Sequence, residues 1–306
     1  MAPAGMAAHA VSLRHRMVRD LAWTILSPSL LAPGSMAYAG AGDVWCRRNF
    51  LEYRGKLIAL DNDPAELIDA VGDPASMALG VYFEKLVAFW LAGSGRYRVI
   101  LRNQQVMGEG RTLGEFDFIL YDQRERSYCH WETAVKFYLG DGDTESFGAW
   151  HGPRRIDRLD KKFDRMTRRQ IMLGDTPEGA RLLASHGVML SERRIVLKGR
   201  LFYPVASHTV PHRAPVGANH GHLSGWWMER DEFMRRFGTA TMRWARLPKH
   251  LWLSPIEAGD ARSVTSAEIL RELDADGADL PVCVAGIAGG GERERGFIVP
   301  AGWGRS

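Results

Sequence analysis

Glu115, Asp117, Glu132 and Lys136 stand inside GEFDFILYDQRERSYCHWETAVKFYLG (114–140), where their neighbours are Phe, Ile, Leu, Trp and Val. The alternation of apolar and polar residues around them is that of β-strands. An unpaired charge inside a sheet core is heavily penalised, so these four side chains need partners, a metal or a reaction. Period two puts Glu115 and Asp117 on one face of their strand, and Glu132 and Lys136 on one face of the next. Directly opposed residues on paired strands lie roughly 5 Å apart at Cβ. Carboxylates that close raise one another's pKa values, and a divalent cation relieves the repulsion. Hard oxygen ligands suit Mg²⁺ or Mn²⁺. A lysine beside them can hold a water nucleophile or stabilise charge developing on a phosphate. The set predicts metal-assisted phosphodiester hydrolysis. The plainer alternative is a set of internal salt bridges, Glu132 with Lys136 and Asp117 with an arginine.

The surrounding pattern predicts the elements that would hold them. Residues 18–31 read as a short helix and a turn, broken at Ser27-Pro28. Residues 43–71 read as irregular chain with short helical pieces. PASMALGVYFEKLVAFWLAG (74–93) has a helix's length, is apolar nearly all round, and ends on glycine, so it is a buried helix. YRVILRNQQV (97–106), EFDFILYD (115–122) and SYCHWETAVKFYL (127–139) read as strands, the last two joined by a polar turn into an antiparallel hairpin. On the first of that pair, Phe116, Phe118 and Leu120 share one face. Residues 154–173 carry Ile156, Leu159, Phe163 and Met166 at helical spacing, with Gln170 continuing the inward stripe. RRIVLKGRLFYPV (193–205) is a further strand. The Ala-rich start, taken to residue 17, reads as disordered.

Composition limits the partners. From Arg154 to Arg169 eight basic residues face three Asp, a net +5 where the whole chain carries +4. Arg154, Arg155, Arg158, Lys161, Lys162, Arg165 and Arg169 are therefore candidate phosphate-backbone contacts. The competing reading is a solvated face laced with i,i+4 pairs. Cys46, Cys129 and Cys283 are widely separated and odd in number, with neither zinc nor disulfide spacing, so a reducing cytoplasm is expected. The basic SLRHRMVRD before LAWTILSPSLLAP has a leader's outline, but Asp20, Pro28 and Pro33 interrupt the apolar run. No apolar run approaches the ~20 residues that span a bilayer, so no membrane partner is expected. His208, His212, His220 and His222 lack compact ligand spacing, and their segment reads as a loop. Trp226 and Trp227 read as core.

Several longer phrases carry a resemblance. VRDLAWTILSPSLL (18–31), FEKLVAFWL (83–91), GEFDF (114–118), HWETAVKFYL (130–139), RRQIML (168–173), GWW (225–227) and KHLWLSP (249–255) resemble a bacterial family, domain of unknown function eighteen fifty-three. That family is placed by remote similarity in the PD-(D/E)XK restriction-endonuclease-like superfamily. The resemblance implies an α/β fold whose mixed sheet, flanked by helices, has a helix-strand-strand-strand-helix-strand core at about 75–205. That core would lie in a single domain over 18–255, followed by a C-terminal extension over 256–306. It implies Asp117 as the metal-binding aspartate and Lys136 as the catalytic lysine. The superfamily's acid two positions before that lysine is Ala134 here, and Glu132 on the same strand face would stand in as a displaced acid. Glu84 resembles a helix glutamate that joins the metal shell, Gln170 a glutamine behind the site, and Glu115 is a further ligand candidate. The implied activity is a Mg²⁺- or Mn²⁺-dependent nuclease acting on DNA or RNA. The Ala134 departure leaves a second expectation, a nucleic-acid-binding or interaction protein that keeps the fold without catalysis.

Overall fold

The computed structural model describes residues 12–32, 38–205, 213–277 and 279–304. Alternation along the central strands splits their side chains between two helical layers. Cys129, Trp131, Val135, Phe137 and Leu139 pack under one layer with Phe83, Leu86 and Trp90, whereas Tyr138 and Ala134 pack on the other side with Trp150, Leu159 and Met166. The first layer is formed by α1 (Arg16–Leu26), α2 (Asp43–Asn62), α3 (Ala65–Val71) and α4 (Leu79–Gly93). The second holds α5 (Leu159–Arg165), a π-helical turn over Met166–Gln170, and α6 (Pro177–Ser185). Two later helices, α7 (Arg230–Phe237) and α8 (Ser266–Ala275), cover the C-terminal half of the sheet.

The strands are β1 (Ala39–Gly40), β2 (Tyr97–Gly108), β3 (Arg111–Asp122), β4 (Ser127–Gly140), β5 (Trp150–His151) and β6 (Leu190–Pro204). They continue with β7 (Ser224–Glu229), β8 (Arg243–Arg246), β9 (Ser263–Val264), β10 (Val282–Ala288) and β11 (Gly291–Val299). Together they make one 11-stranded mixed sheet in the order β2-β3-β4-β6-β7-β11-β10-β8-β9, with β1 on β6 and β5 on β4. β2, β3 and β4 form an antiparallel meander. The chain then crosses through α5 and α6 to place β6 parallel to β4, as a helical crossover permits. Gly199 on β6 faces Lys136 with φ +143°, where a Cβ would sit 1.7 Å from the Lys136 carbonyl oxygen. Only glycine lets these two strands pass so closely.

Several expectations change. Residues 43–71 are not irregular: α2 is a 20-residue helix. Its buried stripe of Cys46, Phe50, Tyr53, Leu57 and Leu60 has helical spacing, but exposed Val44, Leu51 and Ile58 on the other face blur it in the sequence. The helix expected from residue 154 begins only at Leu159. Before it, Arg155 adopts φ 57° in a tight turn closed by the Gly152 N–H on the Asp157 carbonyl at 2.8 Å. Ile156 is consequently 87% exposed instead of joining the stripe. The N-terminal apolar stretch is core: buried Asp20 accepts hydrogen bonds from Tyr82 Oη (3.0 Å) and Ser254 Oγ (2.6 Å). Of the N-terminal seventeen residues, 1–11 lie outside the described set, while Leu13 and Met17 are buried. Residues 256–306 supply β9, α8, β10 and β11, and the latter two lie inside the strand order between β7 and β8.

His208 and His212 lie outside the described residues, and His222 is held by Tyr203 Oη (2.9 Å) and the Asn219 carbonyl (2.6 Å). Trp226 packs against Phe233, Phe237 and Trp244, and Trp227 against Trp303. Among the described residues no helix is long and apolar enough to cross a membrane.

Candidate active site

β3 and β4 pair from Asp122 with Ser127 up to Phe118 with Trp131, and there the ladder stops. The next ladder donor, the Thr133 N–H, goes instead to Asp117 Oδ2 at 2.8 Å, with Thr133 Oγ1 at 3.4 Å from the same oxygen. A side chain thus replaces a backbone acceptor where the strands part. β3 also changes faces here. Phe118 and Leu120 stay under α4, while Phe116 crosses to Leu173 and Leu183 and sets its ring 4.9 Å from His130. The shared face expected for Phe116, Phe118 and Leu120 therefore breaks at Asp117.

Glu132, fully buried, lies on the same side. Its Oε1 meets His130 Nε2 at 2.9 Å, and its Oε2 accepts a hydrogen bond from Gln170 Nε2 at 2.7 Å. Burial first, and then the Glu132 carboxylate, pushes Asp117 up to about 7. Burial likewise pushes Glu132 up to about 8, against the opposing pull of Lys162, the Asp117 backbone N–H and Arg165. Burial drives His130 down to about 4. Burial thus favours the uncharged form of both Glu132 and the His130 imidazole it faces.

Lys162, from α5, is the cation closest in effect to both acids. Burial and then Lys136 lower its pKa, while Asp117 and Glu132 act to raise it, and its Nζ lies 3.4 Å from Gln170 Oε1. Lys136 is engaged elsewhere, with Asp157 Oδ2 at 2.5 Å, an oxygen that also accepts from Tyr138 Oη at 3.2 Å. Glu84 is turned to β2, where it accepts from Asn103 Nδ2 (2.6 Å) and Arg102 (3.3 Å). Among the described residues no three His, Cys, Asp or Glu side chains converge into a metal-holding group. The two acids that do converge, Asp117 and Glu132, come from strands whose period-two pattern aims them at one side.

Asp117 borders a cleft of about 650 Å³ between β3 and the π-helical turn. Glu115 and Asp117 line one wall, and Arg165, Arg169 and Gln170 the other. The remaining basic candidates are scattered. Arg155 pairs with Asp141 at 2.9 Å and stacks on Trp303, Arg158 pairs with Asp160, and Arg154 and Lys161 are exposed. Sequence reasoning missed His130, Thr133 and Asp157. His130 was within reach of the period-two argument, two residues before Glu132 on the same face. Asp157 arrives from a loop and left no such signal.

The two acids set a pH dependence. Unfolded they titrate at ~4, folded at about 7 for Asp117 and about 8 for Glu132, so ionising them costs stability. Their contribution is fully present below ~4 and is lost as pH rises through those folded values. His130, depressed to about 4, works in the opposite sense and is nearly spent once pH passes its unfolded value of ~6.5. From pH 6.5 to 8.5 the two acids make the largest contribution, with buried Cys129 and Cys283 acting in the same direction at the upper end, and the melting temperature should fall by ~5 °C. Glu132→Gln, which mimics the protonated acid, should remove most of that fall. A flat thermal-melt profile across this range in wild type would contradict it.

No curated protein and no solved structure matches the chain. The model of one family, described as Domain of unknown function (DUF1853), does match, over residues 19–299. That span covers the helices, the sheet and the cleft walls alike, and the chain belongs to this family.

Proposed function

We propose that the chain is a Mg²⁺- or Mn²⁺-dependent nuclease with a PD-(D/E)XK-type core. The observation that carries the reading is the Asp117–Glu132 pair: two desolvated acids, both with raised pKa, beside a cleft whose opposite wall carries arginines. Lys162 offsets only part of that paired negative charge, and a divalent cation would supply the rest. The element order supports the same core, with α4 followed by β2, β3, β4, the α5–α6 crossover and β6.

The residues present fit a two-carboxylate hold. Asp117 uses only Oδ2 for Thr133, which leaves Oδ1 for a ligand among the described residues. Glu132 is oriented by His130 and Gln170, and Glu115 lines the same cleft. Mg²⁺ is commonly bound by one or two carboxylates plus substrate phosphate, so a third protein acid is not required. When bound, such a cation polarises the phosphate and lowers the pKa of an attacking water. The chain's own part is to fix the two acids, hold the phosphodiester against Arg165 and Arg169, and set Lys162 where negative charge builds. Glu84 and Lys136 have less part in this reading, because Arg102, Asn103 and Asp157 already engage them. The free, buried Cys46, Cys129 and Cys283 agree with a cytoplasmic, reducing location.

A second reading has its own support. Lys162 already neutralises part of the acid pair, and the position two before Lys136 is Ala134, features that suit a nucleic-acid-binding protein without catalysis. The test is direct. Purified chain is incubated with labelled single- and double-stranded DNA and RNA in Mn²⁺, Mg²⁺ or EDTA. Cation-dependent cleavage of any of these upholds the enzyme. Binding without cleavage of any would leave the second reading.

A further inference from the structure

Arg165 and Arg169 differ from the basic residues around them. Arg168 is tied to Asp164 at 2.9 Å, Arg158 to Asp160, Arg155 to Asp141 and Lys136 to Asp157. Among the described residues the side chains of Arg165 and Arg169 have neither hydrogen bond nor ion pair; exposed Arg154 and Lys161 share that, but of these four Arg165 and Arg169 are the two that line the cleft, opposite Glu115 and Asp117. Arg165 immediately precedes the π-helical turn over Met166–Gln170 and Arg169 lies within it, an irregularity that often marks functional positions in helices.

The cleft is small. Its volume of about 650 Å³ lies within the range of small-ligand pockets, and Glu132 beneath it is fully buried. Among the described residues no aromatic ring lines it, and apart from Gln170, which is committed to Glu132, the only uncharged polar side chain in its walls is Thr112. A phosphodiester in a duplex lies on the outside of a stiff cylinder, whose second strand and bulk limit how far it can enter so small a space. An unpaired strand has no such bulk and can follow a narrow basic wall by its backbone. Resting on the nucleic-acid reading of this cleft, we infer that the strand it takes is single-stranded. The strand is gripped by its phosphates on Arg165 and Arg169 and its bases are not read.

Fluorescence anisotropy in EDTA tests this without cleavage. The probes are labelled single strands of about 15 nucleotides (oligo-dT, oligo-dA and oligo-U) and a blunt duplex of equal length. Wild type should bind the single strands ~10-fold or more tighter than the duplex, with little difference among bases. In the Arg165→Ala/Arg169→Ala variant single-strand affinity should drop ~10-fold or more, and its salt slope should shrink by about 1.4, the counterion release of two phosphate contacts. Both side chains lie at the surface of the cleft, and an unchanged melting temperature confirms that the fold is kept. Equal or tighter duplex binding overturns the inference, as does an unaltered salt slope in the variant. No binding to any strand overturns it together with the nucleic-acid reading. Single-strand binding without cleavage in Mn²⁺ removes the nuclease alone and leaves this inference standing.

Discussion

Asp117→Asn is expected to cut Mn²⁺-dependent cleavage by ~10²–10³-fold and to remove most of the stabilisation that Mn²⁺ gives the wild type. The same change should raise the melting temperature of the cation-free protein at pH 8. The two effects have one cause. Asp117 is desolvated and faces Glu132, so its negative charge costs stability unless a cation answers it. Asparagine keeps an oxygen for the Thr133 N–H that Asp117 now accepts at 2.8 Å, so the point where β3 and β4 part should survive. What it loses is the charge. A protein whose fold depended on the aspartate as an ordinary ion pair would instead be destabilised by the change. Differential scanning fluorimetry with and without Mn²⁺, alongside a cleavage assay, separates these cases. Wild-type cleavage in the variant would remove Asp117 from the site.

The acid pair was legible in the sequence because it depends on strand periodicity alone. Glu132 sits on the predicted face of β4, and the hairpin with β3 is where alternation put it. The pairing of Lys136 was not legible. Its partner Asp157 comes from a loop after β5, and no local pattern links residues 21 apart. Lys162 was misjudged for a different reason. A helix drawn from residue 154 treats the intervening charges as one outward face. Lys162, three residues after Leu159 and next to Phe163, lies on the side that packs toward the sheet wherever the helix begins, while the positive φ at Arg155 takes Arg154 to Arg158 out of that helix. The same limit explains α2. Its inward stripe is regular, but the apolar residues on its outer face hide the amphipathic pattern, and only tertiary packing distinguishes the two sides. Local periodicity carries the strands and their acids, whereas long loops and helix starts decide which basic residues reach them.

Lys162→Met should reduce cation-dependent cleavage by ~10²–10³-fold, whereas Lys136→Met should cost less than ~10-fold. The sequence pattern alone suggests the reverse, since Lys136 shares a strand with Glu132. Geometry separates the two lysines. Lys136 is already neutralised by Asp157, which Tyr138 also holds, while Lys162 acts directly on both Asp117 and Glu132. Its charge lowers the pKa of each acid. Without it both acids should protonate more readily, and the rising limb of the pH–rate profile should move to higher pH. Lys162→Arg keeps the charge and should hold that limb near its wild-type position even if the rate drops. A purely structural role for Lys162 would lower the rate or the melting temperature without moving the profile. If Lys136→Met is the more damaging change and Lys162→Met leaves the profile in place, the lysine on β4 is the functional one and the contact with Asp157 must open during turnover.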